Sequence, residues 1–376
     1  MPQFTFRFLF LKPLLVFLFC IPVLVYSQPL NKFKQIALEQ GLSQVNTRTV
    51  FQDSRGFIWI GTWEGLNRYD GYTIKVYKNN PHDPYSISNN SIESLLEDEN
   101  GNIWIGTGNG LSRYDRNEDR FYCYRYNEKD KTGLSDGLVK KVYQDSEGNF
   151  WIGTKAGVDL MDKKHNRFTH IPTFKNKLRD VSDIQEDDKD HLWIGTTHNG
   201  LLRYNKRKKT FEQYEFDANN PRSLSFNMVS SIVKDRKNRI WVATRGGGLN
   251  LFDRNTKTFK RYKYDRANPN SVPHNMILSL KEDRDGLLWI GTENGGLSVF
   301  NPDKNKFYNI QHDEVDKSSL SSNSIYDFYE DKMGNMWIAT FNGGVNLYNK
   351  KGALFSHFKH TSDPAGLSNN LILDIT

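Results

Sequence analysis

Seven tryptophans, Trp59, Trp104, Trp151, Trp193, Trp241, Trp289 and Trp337, each sit in a run of the form D-x-x-G-x-x-W-I-G-T. They follow one another at intervals of 42 to 48 residues. A fixed period in this range marks one supersecondary unit copied many times, as in a solenoid, a propeller or an array. The physics of a single copy therefore decides the fold of the chain.

In the copy around Trp289, Asn275 to Leu280 is an apolar stretch of strand length, and Glu282-Asp283-Arg284-Asp285-Gly286 has turn chemistry. Leu287 to Thr292 is apolar on both faces, Glu293-Asn294-Gly295-Gly296 turns again, Leu297 to Phe300 is a third strand, and Lys306 to Ile310 is a fourth. No segment of helical length carries a 3.6-residue apolar period. A lone four-stranded sheet that is apolar on both faces must be sandwiched between copies of itself, which is the situation of a β-propeller blade. The sequence predicts an all-β, seven-bladed β-propeller of four-stranded antiparallel blades over residues 28–376, with the start of an eighth repeat at its C-terminus.

Two further features of the phrase have structural explanations. Gly61, Gly106, Gly153, Gly195, Ala243, Gly291 and Ala339 lie two residues after each Trp, on the same strand face. A neighbouring blade can then approach beside each indole, whose burial of ~200 Å² is worth at most ~5 kcal/mol. Trp is expected to be mortar between blades. The Asp six residues before each Trp recurs as Asp53, Asp98, Asp145, Asp187, Asp235, Asp283 and Asp331. Three residues on, the turn has Gly in five copies but Asp190 and Asn238 in the other two, which predicts positive φ and a turn capped by the Asp side chain. A calcium loop needs more oxygens and a distal bidentate Glu, so no metal site is expected there.

The first 27 residues differ from the rest. Arg7 and Lys12 precede the apolar stretch Leu14 to Tyr26, and Val25-Tyr26-Ser27 suits cleavage before Gln28, so residues 1–27 read as a secretory signal peptide and predict a periplasmic location. Without them the net charge falls from +7 to +5, a mild bias with no nucleic-acid signature. The basic run Lys206-Arg207-Lys208-Lys209 falls between two predicted strands, as a solvated hairpin tip would. Cys123 is then the single cysteine left, so an internal disulfide is excluded. Phe33 to Ile36 has the pattern of a fourth strand and would lock the ring shut, although Phe355 to Phe358 offers the seventh unit a fourth strand of its own. Leu367 to Ile372 matches Leu320 to Ile325, so the sequence stops inside the first strand of an eighth unit, as expected of a truncated chain.

The phrase W-I-G-T followed by G-L-x-x-[YF]-[DN], as in Gly110-Leu111-Ser112-Arg113-Tyr114-Asp115, resembles the two-component regulator propeller family. The resemblance covers nearly all of residues 31–376. Members are typically periplasmic sensor regions of hybrid two-component systems of Bacteroidetes, in which propellers precede a membrane helix, a histidine kinase and a receiver. It implies sensing of oligosaccharides, with a membrane connection only through a downstream segment and homodimerisation only in the full-length sensor. No kinase phospho-acceptor region or nucleotide-binding glycine box occurs in these residues.

The loops between second and third strands share a face with the connectors and surround the central opening, where ligands bind. Their tips vary while their flanks stay constant. The candidate ligand-binding residues are Trp63 and Glu64, Asn109, Lys155, His198 and Asn199, Arg245, Glu293 and Asn294, and Phe341 and Asn342. Ring closure makes the seventh blade a neighbour of the first, so Trp63 and Phe341 are expected to form one aromatic wall that suits the apolar face of a sugar. Lys155, His198 and Arg245 fall on consecutive blades and would make a basic arc for a carboxylate or sulfate. Asn90, Asn227, Asn275, Asn323 and Asn370 are expected to cap turns instead. Enzymatic activity is not expected, because His165, His170 and His191 share no metal-ligand spacing and no nucleophile motif occurs. A plain protein- or glycan-binding module is the alternative to a sensor, since the blades offer the same platform either way. No cofactor is expected.

Overall fold

A computed structural model of the chain describes residues 32–164, 166–172 and 179–350. The signal-peptide segment, Phe355 to Phe358 and Leu367 to Ile372 lie outside the described residues. Seven four-stranded antiparallel sheets make up the ring, six of them in simple meander order along the chain and the seventh completed by the N-terminal strand. The blade analysed above has strands Ile277–Glu282, Leu288–Thr292, Leu297–Asn301 and Lys306–Ile310. First strands of successive blades pack side by side, and the first strand of blade 1 packs on that of blade 7, so the ring is closed. The chain is a seven-bladed β-propeller. Among the described residues, helix is confined to one 3-10 turn, Leu38–Gln40, and no helix is long and apolar enough to cross a membrane.

Closure uses the N-terminal strand. Phe33–Ile36 pairs antiparallel with Val345–Tyr348, with Phe33 opposite Tyr348 and Ile36 opposite Val345. It takes the place that Lys306–Ile310 holds in blade 6. A Cβ on Gly344 would lie 2.3 Å from the Ile36 carbonyl oxygen, just as one on Gly296 would lie 2.1 Å from that of Ile310.

The seven indoles of the repeat are all buried between blades. A Cβ added to Gly61 would come within 2.6 Å of Ile92 in the next blade, and one added to Gly153 within 2.8 Å of Val181. The small residue is thus required by the approach of the neighbour. The Asp does more than cap its turn. In six blades one carboxylate oxygen accepts two backbone N–H groups of the turn, as Asp53 does from Arg55 and Phe57, and the other accepts the indole Nε1–H, as from Trp59 at 2.8 Å. These filled oxygens give the Asp–Trp spacing a structural reason.

Blade 4 departs from the rule. Its first strand, Val181–Asp188, runs two residues longer than those of the other blades and carries a bulge between Glu186 and Asp188. Asp187 is turned to Arg203 and Arg254, at 2.7 and 2.5 Å, and Trp193 Nε1 is buried without a partner. The positive φ expected at Asp190 is absent, while Asn238 has it at 60°. The bulge moves the turn onto Asp188, whose side chain accepts the Asp190 N–H. The basic run does form the turn between the strands Leu201–Asn205 and Thr210–Tyr214, but Lys206 is not a solvated tip. Its ammonium donates to Asp145 at 2.9 Å and Glu147 at 3.0 Å, against blade 3.

Candidate ligand-binding face

The Thr of each W-I-G-T fixes the flanks of the second-to-third loops. In all seven blades its hydroxyl donates to the carbonyl of the glycine that begins or precedes the third strand, as Thr62 does to Gly65 and Thr292 to Gly296, at 2.9 and 2.7 Å. That glycine has positive φ throughout, from 67° at Gly344 to 155° at Gly157. The Thr–Gly spacing is three residues in blades 1–3 and four in blades 4–7, so the last four blades present longer tips. This spacing is visible in the sequence.

The asparagines at the start of the first strands act as expected. Asn90, Asn227, Asn275 and Asn323 each accept, through Oδ1, the N–H of a residue eleven positions earlier. They close the connectors and leave the tips free.

Trp63 and Phe341 meet across the closure of the ring. Their centroids are 5.9 Å apart at 62°, and each residue remains 39% exposed, enough to offer a face to a ligand. Tyr326 continues the wall, 6.2 Å from Phe341, and the Arg48 guanidinium lies over its ring at 5.7 Å. Next to this wall a cavity of about 240 Å³ opens at the mouth of the central channel, lined among others by Arg48, Glu93, Lys140, Arg245 and Tyr326. Arg48 pairs with Glu93 at 2.7 Å.

The other candidates are distributed as follows. Arg245 is half-buried at the mouth. Glu64, Asn109, Lys155 and His198 are exposed and do not line the mouth cavity. Asp180 stands within the basic arc: it pairs with Lys140, its Oδ2 lies 3.8 Å from His198 Nε2, and its N–H donates to the Lys155 carbonyl. Burial disfavours the Asp180 carboxylate, but the Lys140 hydrogen bond and charge outweigh this and hold its carboxyl below the usual range. The arc therefore carries a negative charge at its centre. Glu293 is half-buried and its N–H donates to the Met276 carbonyl. Asn294 and Asn342 have φ of 63° and 58°, a conformation Asn tolerates well, and the Asn342 N–H donates to Asn46. The Asn199 N–H donates to Thr196.

Sequence reasoning missed Arg48, Lys140 and Tyr326. Each is the second residue of a first strand, and the ring brings them together from blades 1, 3 and 7. The histidines noted in the sequence do not gather: His170 bonds Asp159 and His191 bonds Asp188, while His165 lies outside the described residues. Among the described residues, no group of three or more His, Cys, Asp or Glu could hold a metal ion.

Comparison with known proteins agrees with this architecture. A family model described as "Two component regulator propeller" matches residues 41–64, 86–109, 133–156, 223–246, 271–294 and 319–342. The chain belongs to the two component regulator propeller family. The unmatched repeat of this propeller is the fourth, the blade whose turn and Asp–Trp bond depart from the rule. Histidine kinase P4 of Formosa agariphila is 48% identical over 56 residues, which is 15% of this chain and 4% of that protein. The extracellular domain of a hybrid two component system of B. thetaiotaomicron, BT3049, superposes with a TM-score of 0.74 at 28% identity, over 90% of this chain and 44% of that one. The chain thus spans under half the length of either relative. A streptogramin B lyase, at 14% identity and a TM-score of 0.62 over 85% of this chain and 99% of its own, shares the fold alone.

Proposed function

We propose that this propeller is the exported ligand-sensing part of a two-component signalling protein, and that it detects oligosaccharides by binding without turnover. The single observation that carries the ligand class is the contact of Trp63 with Phe341 beside the channel mouth. Two half-exposed rings on adjacent blades, backed by Tyr326, offer C–H faces of a sugar a rigid platform. Arg245 at the rim supplies a fork for a carboxylate or sulfate substituent, so acidic oligosaccharides are favoured. Similarity to the extracellular domain of a hybrid two component system supports the sensor role and a periplasmic location, to which residues 1–27 would direct the chain as a signal peptide.

The test is a thermal-shift screen against neutral and acidic oligosaccharides, because a ligand that binds the folded state raises its apparent stability. A saturable shift that weakens in Trp63→Ala and in Arg245→Ala is expected. If both variants keep wild-type affinity for every responding sugar, this face is not the site. A response confined to a protein partner would replace the sensor with an interaction module.

A further inference from the structure

Below the mouth, the channel widens into a cavity of about 380 Å³ lined by all seven first strands. At the mouth, Arg48 pairs with Glu93 and Lys140 with Asp180. Deeper in, Lys141 from blade 3 pairs with Asp183 at 2.7 Å. Asp327 from blade 7 has its oxygens occupied by donors: the Thr49 hydroxyl at 2.8 Å and the N–H groups of Val50 and Phe328 at 3.1 and 2.9 Å. Lys281 from blade 6 lines the same cavity, together with the apolar side chains of Phe51, Leu96 and Val233. Its ammonium lies over the Tyr329 ring at 5.7 Å and finds no hydrogen-bond acceptor among the described residues.

A half-buried ammonium with no acceptor is costly, and a cavity with spare room is the natural place for a counter-ion. Burial pushes the Lys281 ammonium below the ordinary lysine range, and the like charge of Lys141 adds to this against the opposing pull of Asp327, Glu330 and Glu282. Burial likewise pushes the Asp327 carboxyl up, against the hydrogen bonds from Thr49, Val50 and Phe328. Since a water takes ≈ 30 Å³ of liquid volume, the cavity accommodates a tetrahedral oxyanion with several waters.

We propose that the central channel is an anion site, in which a small oxyanion sits between the ammonium groups of Lys281 and Lys141. The chemistry suits free sulfate or phosphate and equally the sulfate or carboxylate substituent of a bound sugar. The inference stands on the channel and not on the aromatic wall, so its failure leaves the oligosaccharide reading intact, and the reverse also holds.

Sodium sulfate and sodium phosphate are titrated at low millimolar concentration against sodium chloride of equal ionic strength, with Tm as the readout. A saturable rise in Tm that is lost in Lys281→Met is expected. General stabilisation by excluded salts grows without saturation; such a rise, equal in Lys281→Met, would overturn the site. Reductive methylation of the unaltered protein, read by mass spectrometry, does not depend on the variant folding. Phosphate should protect Lys281 while leaving exposed Lys257 unaffected, and an unchanged rate at Lys281 would also overturn it. If the sulfate response survives Trp63→Ala, the ion is bound free. If only a sulfated or uronic sugar responds, and both Trp63→Ala and Lys281→Met abolish that response, the oxyanion belongs to the sugar.

Discussion

The N-terminal strand makes the ring a closed object, and Ile36 measures how much that closure is worth. Its side chain is 1% exposed, packed in one cluster with Leu42, Val50, Trp337 and Val345. Ile36→Ala deletes three carbons, about 2.4 kcal/mol at ~0.8 kcal/mol per buried methylene, and the cavity left behind raises the cost to roughly 3–4 kcal/mol. With ~2.1 cal/mol/K of unfolding entropy per residue over the 312 described residues, that corresponds to a fall in Tm of about 5 °C. Urea unfolding and calorimetry should both report it, with Val76→Ala on a more exposed outer strand as a control within about 0.5 kcal/mol of wild type. The rings of Phe33 and Tyr348, 5.7 Å apart, add an independent check. A double-mutant cycle through Phe33→Ala and Tyr348→Ala should return a coupling of about 0.5–1.5 kcal/mol. If Ile36→Ala costs under about 0.5 kcal/mol and the cycle is additive, Phe33–Ile36 is not the fourth strand of blade 7, and the segment 355–358 must supply it.

Three other outcomes follow from the packing. Gly291→Ala would place a Cβ 2.8 Å from the Ile325 carbonyl of the next blade and should destabilise by about 1–3 kcal/mol in urea unfolding, whereas Ala243→Gly, at the equivalent place in blade 5, should cost only about 0.5–1 kcal/mol. Trp59→Phe breaks a bond to a buried carboxylate that Trp193 does not make, so it should cost about 1.5–3 kcal/mol more than Trp193→Phe; equal costs would show that the Asp–Trp bond contributes nothing. Burial disfavours ionised Asp187, but Arg254 and Arg203 outweigh it and hold the carboxyl below its unfolded range. The resulting stability is present above pH ~4 and lost as pH falls through the lower, folded value, so Asp187→Asn should lower stability at neutral pH and flatten the acid limb, as followed by circular dichroism.

The period alone located the blades, because each Trp and its flanking residues repeat one set of contacts in every copy. The fourth strand Lys306–Ile310 was placed from its pattern with the observed limits. The meeting of Trp63 and Phe341 was also legible, since closing seven units puts the last beside the first. Blade 4 was not: its tandem Asp187-Asp188 reads like the other turns, and only the bulge shows which carboxylate caps the turn and which faces the arginines. The residues of the channel were hidden for a different reason. Arg48, Lys141, Lys281 and Tyr326 lie on strands far apart in the chain, and each looks like an ordinary alternating residue. They become neighbours only around the axis, through contacts that no local pattern encodes.

The pairing of Phe33–Ile36 with Val345–Tyr348 has a mechanical consequence. Phe33 and Tyr348 face each other at the end of the pair away from the aromatic wall, so one strand begins where the other ends. A pull that separates those two points loads the hydrogen bonds of the pair one after another, from Phe33 toward Ile36, instead of all together. The clasp is a zipper and not a shear joint. Tension along the chain would therefore open the propeller at blade 7 first, at the seam where Trp63 and Phe341 touch, and the other blade contacts would stay closed until that seam had parted.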